Sequence, residues 1–239
     1  MIHLGAVRFS SGPGVERPSH EIARRIDHTL LKQDATREEL GRMCEEAKKY
    51  HFATVCVNSS NIPFIAEQLK GSDVKPIAVV GFPLGASTTN AKVYEAVEAV
   101  RNGAQEIDMV INIGALKSKN YVLVLEDIRA VAQAVKPHKL KVILETAMLS
   151  QEEKIAGCVL SKAAGAAFVK TSTGFGPGGA TVEDVALMRK IVGEDMEVKA
   201  SGGIRSREDV LKMIDAGADR IGASASVAII EGRKSGGTY

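Results

Sequence analysis

Short apolar runs recur along the chain at intervals that fit a strand followed by a helix. Eight runs rich in Val and Ile have centres 23 to 34 residues apart, which leaves room each time for one strand, one helix and two short loops. The runs are RIDHTLL, ATVCVN, KPIAVVGFP, EIDMVINI, KVILET, AFVKTST, EVKASGG and RIGAS. The pattern predicts a strand-helix unit repeated eight times.

The segments between these runs have the period of amphipathic helices. Two of them place apolar residues at positions i, i+3, i+4 and i+7, namely Leu40, Met43, Cys44 and Ala47, and then Val93, Ala96, Val97 and Val100. Four segments begin with the spacing of a capping box, in the pairs Thr36 and Glu39, Ser150 and Glu153, Thr181 and Asp184, and Ser206 and Asp209. Both features predict helices with one buried face.

Eight strands alternating with helices favour an α/β fold of the (β/α)8 TIM-barrel class, because closing a parallel sheet removes its edges. We expect one barrel over residues 21–232, a short N-terminal extension over residues 1–20 and a mobile C-terminal tail over residues 233–239. A doubly wound open sheet is the alternative that the same pattern allows.

Charge and cysteine content narrow the class of partner. The 239 residues contain 31 Lys and Arg against 29 Asp and Glu, so no strong field for nucleic acid or an anionic membrane is expected. Three scattered cysteines fit neither a disulfide framework nor a zinc site and suit a reducing cytoplasm. The N-terminus lacks the apolar core of a signal peptide, and no apolar run reaches the roughly 18 residues of a membrane span. Small molecules are therefore the predicted partners.

Four predicted strands carry charged residues where a barrel places its active site: Asp27, Asp108, Lys170 and Lys199. Lys170 stands in the apolar run AAFVKTST, where its stem could pack while its ammonium reaches solvent. The second interpretation is chemical. Burial and a neighbouring cation such as Lys199 both disfavour the ammonium form, and a neutral lysine amine attacks carbonyl carbon to form a Schiff base.

The roles of the two carboxylates stay open at this point. Asp108 fits a structural ion pair with these lysines, and it also fits a general acid and base that moves protons during imine formation. Asp27 could bind a polar ligand or a neighbouring backbone group.

The stretch GFGPGG matches the dinucleotide motif G-x-G-x-x-G, but its context argues against that use. The next helix is predicted to begin only at Thr181, and Pro177 lacks a backbone donor. Gly174, Gly202, Gly203 and Ser224 end the last three strands, where many barrels bind a phosphate group. Simple turn formation is the other explanation of these glycines.

Together the segments DHTLL, EIDMVINIGAL, FVKTSTGF and VKASGGIR resemble the 2-deoxyribose-5-phosphate aldolase family, over about Ile22 to Gly232. The resemblance implies a Schiff-base aldolase that reversibly cleaves 2-deoxy-D-ribose 5-phosphate to acetaldehyde and D-glyceraldehyde 3-phosphate, without metal or cofactor. Lys170 would form the imine, Lys199 would depress its pKa, and Asp108 would shuttle protons. The phosphate would bind Gly174, Gly202, Gly203 and Ser224, with Asp27, Thr29, Cys56 and Thr173 near the sugar. Ala225 departs from the pattern, since some members have a second serine there.

The C-terminal residue Tyr239 is a further candidate. A frayed tail is the simplest expectation, whereas the resemblance implies a tyrosine that reaches the site and assists proton transfer. Family members often self-associate, so a homo-oligomer is possible. Two other functions stay open: a Schiff-base aldolase for another phosphorylated sugar, and a barrel that binds a sugar phosphate without chemistry.

Overall fold

The structure, a computed structural model, describes residues 19–233. Eight parallel strands form a closed barrel in sequence order. They are β1 Ile26–Leu30, β2 Thr54–Asn58, β3 Lys75–Val80, β4 Glu106–Val110, β5 Lys139–Ile143, β6 Phe168–Lys170, β7 Glu197–Ser201 and β8 Arg220–Ala223. Strand β1 pairs with β8, with Ile26 opposite Ile221, so the sheet has closed on itself. The (β/α)8 prediction is confirmed, and the open-sheet alternative is wrong.

Helices follow the strands around the outside of the barrel. They are α1 Ser19–Ala23, α2 Arg37–Tyr50, α3 Ile62–Gln68, α4 Thr89–Arg101, α5 Ile113–Lys117, α6 Tyr121–Ala134, α7 Gln151–Ala163, α8 Val182–Val192, α9 Arg207–Asp215 and α10 Ser226–Ile230. Short 3-10 turns span Ser59–Asn61 and Thr146–Met148. Helix α1 crosses the predicted boundary at residue 20, and the division into extension, barrel and tail stays a prediction. Among these helices none has the length and apolar character needed to cross a bilayer.

Three of the four predicted capping boxes are complete, at Thr36, Ser150 and Ser206. The fourth prediction is only half right. Thr181 accepts a hydrogen bond from the backbone of Asp184, but the Asp184 carboxylate pairs with Lys154 at 2.6 Å, so no return bond is present. A carboxylate with a cationic partner on the neighbouring helix is drawn away from the cap.

The predicted apolar faces differ in outcome. Leu40, Met43, Cys44 and Ala47 are all buried on α2, as expected. On α4 the buried residues are Lys92, Ala96 and Ala99, and Val93 and Val100 are partly buried against the core, so the predicted face is only partly right. Lys92 faces inward because it pairs with the buried Asp127 of α6 at 2.6 Å.

Successive residues of each strand point to opposite sides of the barrel wall, as a pleated strand requires. On β4, Ile107 and Met109 join the apolar layer beneath the helices, whereas Asp108 points the other way and meets lysines from β5, β6 and β7. The inner face of the barrel wall is therefore charged, and the outer face, beneath the helices, is apolar. This inner layer holds the candidate site.

Candidate active site

Three of the predicted site residues meet inside the barrel. Asp108 Oδ2 accepts hydrogen bonds from Lys170 Nζ at 2.9 Å and from Lys199 Nζ at 2.8 Å. Lys170 lies directly opposite Lys199 in the pairing of β6 with β7, which puts the two ammonium groups at the same height. All three side chains are almost completely buried. One carboxylate oxygen is thus shared by two lysines.

Asp27 holds the second lysine from the other side. Its Oδ2 lies 2.5 Å from Lys199 Nζ, and its Oδ1 accepts hydrogen bonds from Arg220 at 2.7 Å and from Thr54 at 2.8 Å. Lys199 therefore contacts two carboxylates, whereas within residues 19–233 the carboxylate paired with Lys170 is that of Asp108 alone. Both carboxylate oxygens of Asp27 thus face cations or a hydroxyl, and its place near the sugar stays a prediction.

Space for Lys199 comes from a glycine on the neighbouring strand. A Cβ at Gly222 would lie 2.9 Å from the Cβ of Ser201 and 3.1 Å from Cε of Lys199. A Cβ essentially never lies 2.9 Å from another, so a larger residue at position 222 would force Ser201 to shift and would crowd the Lys199 stem. Gly222 of β8 thus helps to place the ammonium of β7.

Three members of the charged layer are not predicted from the sequence: Lys141, Glu106 and Arg220. Lys141 is fully buried, lies 3.0 Å from Asp108 Oδ1 and pairs with Glu106, while Arg220 lies 3.6 Å from Glu106. The layer then holds four cationic side chains, Lys141, Lys170, Lys199 and Arg220, against the three carboxylates of Asp27, Glu106 and Asp108. One cation is in excess, so a neutral amine at one lysine balances the layer.

The pKa shifts identify which lysine that is. Burial lowers the pKa of Lys170; Asp108 opposes this, and Lys199 lowers it further. For Lys199 burial also disfavours the cation, but Asp108 and Asp27 outweigh burial and raise its pKa. For Asp108, burial is outweighed by Lys141, Lys170 and Lys199, which hold its pKa well below 3.8. Lys170 is the lysine set to lose its proton.

An apolar wall stands beside these charges. It consists of Leu31, Cys56, Ile77 and Val79, with Phe82 packed against it. Cys56 is buried among the charged groups, and burial raises its thiol pKa to about 11. The thiol is therefore protonated near neutral pH and acts as a small apolar surface.

The predicted phosphate residues lie together at the ends of the last three strands. Gly202 and Gly203 follow β7 with φ of +89° and +76°, and Gly174 lies beyond β6 with φ of +87°. Ser224 follows β8 and is exposed. Within residues 19–233 no acceptor takes the backbone N–H groups of these four residues, whereas Ala180 N donates to Gly202 O at 3.0 Å. Four unpaired amide donors at a barrel mouth suit an anion.

The two threonines predicted near the sugar use their hydroxyl hydrogens within the protein. Thr29 donates to the carbonyl oxygen of Asp27 at 2.8 Å, and Thr173 donates to the carboxylate of Glu145. Helix α8 begins at Val182, after the last glycine of GFGPGG, which agrees with the argument against a dinucleotide site. Tyr239 lies outside the described residues. Across residues 19–233, no cluster of three His, Cys, Asp or Glu side chains has the arrangement of a metal site.

Comparison with known proteins decides the family. The family model described as DeoC/LacD family aldolase matches residues 22–236. The chain belongs to this family. A protein of Streptococcus sanguinis (strain SK36) named deoxyribose-phosphate aldolase is 60% identical over 219 residues, covering 92% of this chain and 100% of the relative. A protein of Caldanaerobacter subterraneus subsp. tengcongensis with the same name is 63% identical over 213 residues, covering 88% and 92%.

Solved structures agree with this DeoC/LacD assignment. A putative deoxyribose-phosphate aldolase from Coccidioides immitis superposes with a TM-score of 0.88 at 49% identity, covering 90% of this chain and 86% of that one. The deoxyribose phosphate aldolase of Aeropyrum pernix, described as tetrameric, gives a TM-score of 0.84 at 33% identity, covering 89% and 91%. The fold and the enzyme class that the sequence resemblance implied are thereby confirmed: the chain is an aldolase with a (β/α)8 barrel.

Proposed function

We propose that this aldolase reversibly cleaves 2-deoxy-D-ribose 5-phosphate into acetaldehyde and D-glyceraldehyde 3-phosphate through an imine on Lys170. The observation that carries the proposal is that the two buried lysines differ in their carboxylate contacts and in the direction of their pKa shifts. Burial and the neighbouring Lys199 cation lower the pKa of Lys170, and the one carboxylate it contacts, Asp108, does not offset them. Lys199 is equally buried, but Asp108 and the second carboxylate at 2.5 Å, Asp27, raise its pKa. A neutral amine is the form that attacks an aldehyde.

The reaction then follows from imine chemistry. The Lys170 amine adds to C1 of the open-chain sugar, and loss of water from the carbinolamine gives the protonated imine. That cation withdraws electrons as the C2–C3 bond breaks, the C3 hydroxyl loses its proton, and D-glyceraldehyde 3-phosphate leaves. The remaining enamine gains a proton at C2, and water hydrolyses the imine to release acetaldehyde. The iminium supplies the electron sink, so the proposed chemistry needs no metal or cofactor.

The surrounding residues take the other roles. Asp108 moves protons on and off the carbinolamine oxygen and C2, through a water molecule, and Lys199 stays a cation that keeps the Lys170 pKa low. The backbone donors of Gly174, Gly202, Gly203 and Ser224 bind the phosphate. Cys56, in the apolar wall, packs near the two-carbon fragment. Asp27, Thr29 and Thr173 lie near the sugar and hold neighbouring protein groups in place through the contacts given above. Tyr239 stays a proposed participant in proton transfer.

Assembly and location are also proposals. The tetramer described for the Aeropyrum pernix relative supports a homo-oligomer here. The cytoplasm stays the predicted compartment, on the ground of three cysteines that the structure describes as free and buried.

Borohydride trapping tests the mechanism directly. With acetaldehyde present, reduction is expected to leave an N-ethyl group on Lys170, located by mass spectrometry of the peptides, and none on Lys199. The Lys170→Met variant should give no adduct and lose cleavage of deoxyribose phosphate by several orders of magnitude. An unmodified Lys170 in the wild-type protein would refute the imine, and trapping without cleavage of this sugar would point to another phosphorylated substrate.

A further inference from the structure

Glu145 has an unusual backbone conformation just after β5. Its φ and ψ are +58° and +61°, in the left-handed region that residues with a Cβ rarely adopt. Among residues 19–233, two other non-glycine residues have positive φ, His51 and Lys119, and both are exposed. Glu145 is only 2% exposed. Such a conformation at a buried site persists when the surrounding contacts demand it.

Those contacts come from the turn that follows β6. The Thr173 hydroxyl donates to Glu145 Oε2, and the Thr173 backbone N lies 3.3 Å from Oε2 and 3.4 Å from Oε1. A Cβ at Gly176 would lie 2.8 Å from the carboxylate carbon of Glu145, so any other residue there would displace this carboxylate from its place under the turn. The Glu145 carboxylate, two residues after β5, is thus enclosed by the turn that follows β6.

This enclosure decides which backbone donors the turn leaves available. Phe175 N donates to Thr173 Oγ1 at 3.0 Å, and Thr173 N faces Glu145, so the amides on both sides of Gly174 are engaged. The Gly174 amide between them has no acceptor within residues 19–233. A carboxylate would repel a phosphate, so Glu145 is not a ligand of it; both its oxygens face Thr173 instead.

We propose that Glu145 is a positioning residue that fixes the turn Thr173–Gly176 so that the Gly174 amide binds the phosphate of the substrate. The inference rests on the proposed function and adds to it a carboxylate that acts only through Thr173. Removing its charge loosens the turn and weakens phosphate binding. The amine of Lys170 lies on the strand itself, held by Asp108, and keeps its reactivity.

Glu145→Gln tests this with two substrates and one trapping assay. We expect KM for 2-deoxyribose 5-phosphate to rise about tenfold, the effect of losing charge-assisted hydrogen bonds. KM for unphosphorylated 2-deoxyribose and the rate of borohydride trapping with acetaldehyde should stay at their wild-type values. Glu152→Gln, at an exposed position of α7, is the matched control and should change none of the three.

A double-variant cycle separates positioning from a general loss of structure. If Glu145 acts through Thr173, the double variant Glu145→Gln, Thr173→Val should raise KM no more than the more damaging single change. Equal rises in KM for the phosphorylated and unphosphorylated sugars, slower trapping in Glu145→Gln, or additive effects in the cycle would each overturn the inference. A wild-type protein that does not prefer the phosphorylated sugar would overturn the proposed function, and this inference with it.

Discussion

At the scale of single residues, the site depends on how the Asp108 carboxylate is shared between two lysines. Asp108 Oδ2 accepts from Lys170 and Lys199 at nearly equal distances, so distance alone does not distinguish the two lysines. The difference comes from Asp27, which contacts Lys199 and not Lys170. Lys199, which contacts two carboxylates, keeps its proton. Lys170, which contacts one carboxylate oxygen that it shares with Lys199, loses its proton more easily. The carboxylates that contact Lys199 thus determine that Lys170, and not Lys199, is the nucleophile.

Replacing Lys199 tests that selection. In Lys199→Leu, Lys170 loses a nearby positive charge and has Oδ2 of Asp108 to itself, so its pKa should rise. The pH midpoint of borohydride trapping with acetaldehyde is expected to move upward by on the order of one unit. Lys190→Leu, at an exposed position of α8, serves as the control. A midpoint identical to that of wild type would show that Lys199 does not tune Lys170.

The sequence allowed some of these residues to be found and concealed others. Asp108, Lys170 and Lys199 interrupt apolar runs, which makes each of them conspicuous. Lys141 begins the run KVILET two residues after Lys139 and looks like part of a solvated strand start, yet Lys139 is exposed and Lys141 is fully buried. Which of the two lysines is buried depends on the strand register that puts Lys141 opposite Asp108. The sequence of one strand does not determine its register with the next strand.

At the scale of elements, α4 and α6 are joined by a buried ion pair. Lys92 Nζ donates to Asp127 Oδ2 at 2.6 Å and to the carbonyl oxygen of Val110 at 3.1 Å, and Thr89 donates to Asp127 Oδ1. The pair therefore connects both helices to the end of β4, two residues after Asp108. Apolar periodicity placed Ala96 correctly on the inner face of α4 but missed Lys92, because a lysine counts as polar whatever partner it has on another helix.

Variants of this pair should reveal a cost that depends on leaving a charge unpaired. Lys92→Met is expected to lower the free energy of unfolding by about 3 to 5 kcal/mol, because Asp127 stays buried without its cation. The double variant Lys92→Met, Asp127→Leu should recover a large part of that loss. Urea unfolding measures both, with Lys212→Met as a control because Lys212 and Glu208 form an exposed pair. A double variant as unstable as the sum of the single changes would contradict this account.

At the scale of the whole molecule, barrel closure brings together residues that are far apart in sequence. Asp27 of β1 contacts Lys199 of β7 because β8 and β1 pair, and an open sheet would have separated these strands. The repeat of strand and helix predicted eight strands correctly, and the absence of edges favoured closure. Eight strands and their closure were thus accessible from the sequence, as were four members of the charge layer, whereas Lys141, Glu106 and Arg220 required the structure.

That charge layer should also control stability in acid. The pKa values of Asp27 and Asp108 are lowered in the folded protein by the surrounding cations, although burial alone would raise them. The unfolded chain therefore takes up protons first as the pH falls. The stabilisation is complete well above pH 3.8 and is lost as the pH drops below 3.8 towards the folded-state values.

Each such carboxylate adds a slope of about 1.4 kcal/mol per pH unit to the free energy of unfolding in that window. Asp108→Asn removes one titrating group, so its unfolding free energy, measured by urea titration between about pH 3.8 and 2.5, should fall less steeply by that amount per unit. Asp34→Asn, in an exposed turn before α2, is the matched control.

The Asp108→Asn variant is expected to be less stable than wild type at neutral pH, because the lysines around Asp108 lose their shared anion. The slope of the unfolding free energy against pH, rather than its absolute value, is therefore the informative quantity. Parallel slopes for wild type and Asp108→Asn would mean that this carboxylate is not held ionised by the layer, and Asp108 could then not be what raises the pKa of Lys199.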